Sequence, residues 1–208
     1  MTRKELAGVV TELLKKEYPE VKCTLEYSQP HEMLFATQMS AQCTDARVNI
    51  VTETLFSKYP TLEAFASADL SELEQDVKPC GFYRTKAKSI IEMANRLIDV
   101  YDSRIPDTME ELLTLSGVGR KTANLVVGDV YGKPAVVTDT HVIRITNLLG
   151  LCNTKDPYKV ELKLRQLLPP EESNDFCHRT VLHGREICTA RKAYCERCTL
   201  ADICKKNI

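Results

Sequence analysis

Three groups of residues in this 208-residue chain have the types and spacing for chemistry. The first is Cys188, Cys195, Cys198 and Cys204, which read C-x6-C-x2-C-x5-C near the C-terminus. Thiolates bind soft metals, and a C-x2-C pair can place two sulfurs on one centre. A structural zinc and a [4Fe–4S] cluster both suit four thiolates. Zinc sites usually pair two short knuckles and only one is present, which tilts the reading toward a cluster. Either centre would staple the tail and close Thr189–Tyr194 into a tight loop carrying Arg191 and Lys192. Two cations on such a frame suit a phosphate backbone, although they also suit an ordinary solvated face.

The second group is the stretch Leu115-Ser116-Gly117-Val118-Gly119-Arg120-Lys121-Thr122. Gly117 and Gly119 flank one apolar residue. Glycine permits positive φ and close approach to the backbone, and the helix expected to begin at Arg120 would aim free N–H groups outward. The same pattern serves as a tight helix–helix turn. A hairpin of that kind is compatible with phosphate binding.

The third group is Lys121 with Asp139. Most lysines are solvated surface residues, and Asp139, in Thr138-Asp139-Thr140-His141, has the position of a helix N-cap. A lysine in the first turn of a helix feels the positive end of the dipole, and partial burial would further disfavour its charged form. Both effects favour a nucleophilic amine. A nearby carboxylate would pull the other way, yet could accept a proton or stabilise a cation.

The elements that must hold these groups are helical. Thr2 and Glu5 have capping-box spacing ahead of Leu6, Val9, Val10, Leu13 and Leu14. Thr44 can cap a helix bearing Val48, Ile50, Val51, Leu55 and Phe56. Ala87, Ile90, Ile91, Ala94, Leu97, Ile98 and Tyr101 keep helical spacing. Thr108 with Glu111 opens another helix, expected to reach Leu115, and Arg120–Tyr131 should form the next. Asp156 followed by Pro157 marks a start. Strand alternation and Asn-Gly hairpins are missing, so the fold class is all-α.

Composition narrows the setting. Hydrophobic content is 43% and charged content 27%, as in globular proteins. No apolar run is long enough for a bilayer, and Met1–Lys16 lacks a signal-peptide core. An intracellular protein is expected. Nine cysteines, an odd number with no export signal, argue against a full disulfide framework. Cys23, Cys43, Cys80, Cys152 and Cys177 read as small buried hydrophobes. Net charge is −1, but His178–Ile208 holds seven Lys/Arg against three Asp/Glu, which permits one basic face.

Together these features resemble the endonuclease III family of helix-hairpin-helix glycosylases. The resemblance lies in Ser40-Ala41-Gln42-Cys43-Thr44-Asp45, Leu115–Asn124, Val137–His141 and the spacing of the four cysteines, and it extends over essentially the whole chain. It implies two helical domains flanking a DNA-binding cleft. A six-helix domain with the hairpin would span 23–133, and a cluster domain would combine 1–22 with 134–208. It moves the metal question to [4Fe–4S].

The activity implied is that of a bifunctional DNA glycosylase and AP lyase removing oxidised pyrimidines. Lys121 would attack the sugar of an extruded nucleotide. Asp139 would assist it, and a Schiff base and β-elimination would cut the strand 3′ to the lesion. Gln42 matches the residue the family inserts into the gap left by the base. Phe82 stands where the family has an aliphatic wedge, and as an apolar residue it suits either a wedge or core packing. Gly117, Val118, Gly119, Arg120, Arg191 and Lys192 would meet the DNA backbone. Asp45 and His141 match positions near the pocket, or serve as local capping and polar groups.

The implied partner is double-stranded DNA with damaged pyrimidines or abasic sites. It would be met by a monomer in the cytoplasm, away from membranes, and nucleoid-associated in a prokaryote. Two departures stand out: Ser116 where the family has proline, and Thr138 where it has an apolar residue. The adenine-mismatch branch shares the hairpin, aspartate and cluster but lacks the lysine and normally carries a further C-terminal domain. Here Lys121 is present and four residues follow Cys204. A non-catalytic DNA-binding module or iron–sulfur sensor would not need Lys121 or Asp139. A zinc-stapled interaction protein would be colourless.

Overall fold

A computed structural model describes residues 1–205. Eleven α-helices are found among them, and the one extended pairing among them is an isolated bridge between Cys188 and Ala193. The backbone divides into two compact units. One is Cys23–Tyr131. The other joins Met1–Lys22 to Gly132–Ile208, described here as far as Lys205.

The Cys23–Tyr131 unit holds α2 (Pro30–Met39), α3 (Asp45–Lys58), α4 (Leu62–Ala66), α5 (Leu70–Val77), α6 (Tyr83–Tyr101), α7 (Met109–Leu112) and α8 (Arg120–Leu125). Its core is built on Phe35 and Phe65, with ring centroids 4.7 Å apart and planes at 66°. Met33, Leu34, Leu55, Leu73, Ile90, Met93 and Leu97 close around them, all essentially without exposure. Each such side chain contributes roughly 1.5–3 kcal/mol through burial. The inward stripe of α6 is the one its spacing dictates, through Ala87, Ile90, Ala94 and Leu97.

The other unit holds α1 (Arg3–Glu17), α9 (Thr140–Leu149), α10 (Pro157–Leu167), α11 (Ser173–Glu186) and the cysteine tail. Leu14, Val142, Ile145, Val160, Leu164 and Phe176 form its core. The Thr2–Glu5 capping box is present on α1, and the Asp156 side chain accepts from the amides of Tyr158 and Lys159. Buried Arg179 ties α1 to α11. It donates to the Tyr18 carbonyl at 3.1 Å, to Glu172 at 3.1 Å and to Asp175 at 3.0 Å.

Two helices around the glycine loop differ from expectation. The helix opened by Thr108 stops at Leu112 and continues only as turns to Leu115. After the loop, α8 passes into a π-helical segment at Val126–Val130. Such wide turns inside a helix are frequent at functional sites.

Candidate functional site

The glycine loop is shaped by two residues with different needs. Gly117 has φ +75°, and a Cβ there would lie 3.2 Å from both Gln38 Nε2 and Ser89 Cβ. It must therefore be glycine for conformation and for space. Gly119 has ordinary φ, and a Cβ on it would meet nothing within 4 Å. Its missing side chain instead leaves the backbone open to an approaching ligand. Ser116, the departure from proline, anchors the loop through its hydroxyl, which donates to Glu92 Oε2 at 2.7 Å. Val118 is 8% exposed, so its side chain belongs to the core and only its backbone is available to a partner. Arg120 is half-buried at the start of α8.

Lys121 occupies the first turn of α8 and is exposed. The expectation of partial burial is therefore corrected. The side chain follows a short loop at the surface.

Gln42 and Phe82 are both exposed, Phe82 to 64%, which settles Phe82 against core packing. Both adopt left-handed backbone, with φ +56° at Gln42 and +48° at Phe82. A non-glycine residue there costs about 1–2 kcal/mol, so the surroundings must hold each turn. Asp45, at the start of α3, accepts a 2.6 Å hydrogen bond from the Thr24 hydroxyl.

Asp139 is the N-cap of α9, and its side chain accepts from the Val142 amide at 2.8 Å. Two residues on, His141 packs against α11 at Gly184, where a Cβ would lie only 2.5 Å from His141 Nδ1. Glycine at 184 is what lets the start of α9 approach so closely. Burial lowers the His141 pKa, which favours a neutral ring. Arg144, one turn further, reaches His141 Nδ1 at 3.3 Å and also donates to the carbonyls of Gly184 and Cys188. It joins the Asp139 helix to the cysteine segment.

Cys188, Cys195, Cys198 and Cys204 all line one cavity of about 70 Å³, walled otherwise by Leu148, Ile187, Ala193, Tyr194 and Ala201. Among the described residues no three Cys, His, Asp or Glu side chains converge closely enough for a single ion. Four thiols around a shared apolar space are a donor set that suits soft metals. Burial raises the Cys188 and Cys198 thiols, so loading a metal centre must release their protons. His183 Nε2 stands 3.4 Å from Cys198 Sγ, and burial pushes that histidine down to about 4.

The loop between Cys188 and Tyr194 is tight, as expected. The Thr189 hydroxyl and Lys192 amide meet at 3.0 Å, and the Thr189 amide reaches the Lys192 carbonyl at 3.1 Å. Arg191 and Lys192 are exposed on it. They border a groove of about 980 Å³ together with Arg144 and Lys155, and among the described residues no carboxylate lines that groove. Four cations on one apolar-floored groove are well placed for a polyanion.

Lys86, Arg144, Gly184 and His183 were not singled out from the sequence. Contacts from Lys86 to Met39, from Arg144 to Cys188 and from Gly184 to His141 span forty or more residues, and no local spacing signals them.

Residues 35–170 match the model of the HhH-GPD superfamily base excision DNA repair proteins. The endonuclease III of Synechocystis sp. is 44% identical over 204 residues, covering 98% of this chain and 93% of that protein. The endonuclease III of Bacillus subtilis is 43% identical, covering 91% of this chain and 87% of its own length. A solved structure of an endonuclease III trapped as a covalent intermediate with DNA superposes with a TM-score of 0.94 at 40% identity. That match covers 99% of this chain and 97% of the other.

Proposed function

We propose the chemistry of this chain from one premise: it belongs to the endonuclease III family, within the HhH-GPD superfamily of base excision DNA repair proteins. It is a bifunctional DNA glycosylase and AP lyase of base excision repair. What the premise leaves open is which residues act, on which bases, and around which cofactor.

Lys121 is the nucleophile in this reading. Its uncharged Nζ attacks C1′ of an extruded nucleotide, and the bond from C1′ to the base breaks with its electron pair leaving on the base, which takes up a proton. The C1′–O4′ bond then breaks with its electron pair on O4′, which takes up the second amine proton, and C1′=N forms as a Schiff base. Removal of a C2′ proton then expels the 3′ phosphate by β-elimination, cutting the strand 3′ to the lesion. Asp139 stabilises the cationic sugar or relays the proton. Gln42 and Phe82 fill the space of the extruded nucleotide, and the backbone of Gly117–Gly119, with Arg120, Arg191 and Lys192, holds phosphates. Asp45 and His141 border the pocket, and the bases removed are oxidised pyrimidines.

The observation that carries this reading is the placement of Lys121. It is exposed, in the turn directly after an open glycine backbone. A surface lysine there can reach a sugar whose phosphates the loop is holding.

The four cysteines are proposed to ligate a [4Fe–4S] cluster, which would staple the tail and fix the Arg191–Lys192 loop. Support comes from the apolar cavity that all four cysteines line and from the family to which the chain belongs. A cluster makes the protein brown, whereas zinc leaves it colourless.

The substrate range is tested with duplexes that each hold one defined lesion. Oxidised pyrimidines are expected to be excised and nicked, leaving an unsaturated aldehyde on the 3′ end. Excision confined to purines, or abasic products without nicking, would contradict the proposal.

A further inference from the structure

Lys86 lies in the first turns of α6 and is only 3% exposed. Its Nζ donates to three backbone carbonyls: Met39 at 2.8 Å, Ala41 at 2.9 Å and Cys80 at 2.8 Å. An ammonium has three N–H donors and no acceptor, so these partners satisfy it fully. Its charge is met by carbonyl dipoles, with no carboxylate in the set. Burial lowers its pKa, while three acceptors aimed at one nitrogen favour the ammonium.

A buried charge is a costly way to fill space, since an apolar side chain of the same length would do so more cheaply. What the charge adds here is a tripod between two turns that lie about forty residues apart in sequence. Met39 and Ala41 flank or precede the turn that presents Gln42. The Cys80 carbonyl leads through Gly81 into Phe82. These two turns carry Gln42 and Phe82, at φ +56° and +48°; the other non-glycine left-handed residues of the unit, Asp102 and Ser103, follow α6 at its far end. Such backbone persists only where the surroundings over-determine it, and the tripod pins both turns from one nitrogen.

We infer that Lys86 is a positioning residue that fixes the Gln42 and Phe82 turns to each other, so that both side chains meet the duplex as one preformed wedge. This rests on the reading of Gln42 and Phe82 given above. A wedge already rigid loses little freedom on insertion, and that difference appears as preference for a duplex with a vacated position.

The test uses the full holoprotein and an uncleavable duplex in which a tetrahydrofuran abasic analogue faces 2-aminopurine. Affinity is measured for this duplex and for an intact one, and 2-aminopurine fluorescence reports insertion. Lys86→Met is expected to lose about tenfold or more of the preference for the abasic duplex, with the fluorescence change reduced and intact-duplex affinity within about twofold of wild type. Lys86→Arg should recover part of the preference. In a Gln42→Ala/Phe82→Ala background, Lys86→Met should change the preference by less than about twofold, because the groups it positions are gone. A purely structural role would instead make the losses additive, and that result, or wild-type preference in Lys86→Met, would overturn the inference. If Lys86→Met does not fold, Lys86→Arg carries the same comparison: it should lose preference in the parent and not in the doubly substituted background, and wild-type behaviour would overturn the inference. Full preference in Gln42→Ala/Phe82→Ala alone would remove the wedge reading itself, and this inference with it.

Discussion

The Asp139 carboxylate accepts the Val142 amide at 2.8 Å, so the group proposed to assist catalysis is also the N-cap of α9. The two roles separate by substitution. Asparagine caps as well as aspartate and carries no charge. Asp139→Asn should therefore keep thermal stability close to wild type while turnover falls by roughly 10²–10⁴. Asp139→Ala should in addition lose about 1 kcal/mol of stability with the cap. Melting curves and single-turnover excision measure the two effects. Wild-type excision by Asp139→Asn would remove the carboxylate from the mechanism.

That double role explains what the sequence makes legible. Capping is local, so Thr2 with Glu5, Thr44, Thr108, Asp139 and Asp156 each announce a helix start that the structure contains. The α6 stripe is equally plain, because period alone decides which face turns inward. The π-helical turn at Val126–Val130 leaves no such trace, since its residues fit an ordinary helix as well. Phe82 is ambiguous in sequence because an aromatic residue suits a core or a wedge, and its 64% exposure excludes the core. Lys86 defeats sequence reading for a related reason. Lysine defaults to the surface, and three carbonyls that reverse the default come from positions 39, 41 and 80.

Stability should depend on acid in a defined direction through Glu172. Its carboxylate lies 2.5 Å from Lys15 Nζ and 3.1 Å from the buried Arg179 guanidinium. The hydrogen bond from Lys15 is the largest influence holding it below the usual carboxylate range, with Arg179 adding to it. A depressed carboxylate contributes stability above its unfolded pKa and loses it as pH falls through the folded value. Glu172→Gln should then cost on the order of 1 kcal/mol at neutral pH, allowing for solvent screening at Lys15. Wild type and variant should converge as pH drops below the normal glutamate range. A difference that persists unchanged in acid would mean the charge is not what matters. Chemical denaturation across pH measures it.

The groove beside the cysteine tail should contribute charge without reading sequence. Arg191 and Lys192 are exposed on a loop closed by Thr189. Replacing both by alanine should weaken binding to unrelated duplexes alike and make log affinity less steep against log salt, by about one unit per lost phosphate contact. Titrations at several salt concentrations give the slope. An unchanged slope would count against the loop as a phosphate site.

The exposed amine at 121 is where the chemistry stands or falls. Borohydride reduction of the protein with a duplex holding one abasic site should yield a covalent protein–DNA adduct, and Lys121→Ala, folded as wild type, should yield none. An adduct of wild-type yield from that variant would show that another amine forms the Schiff base, and would contradict the assignment.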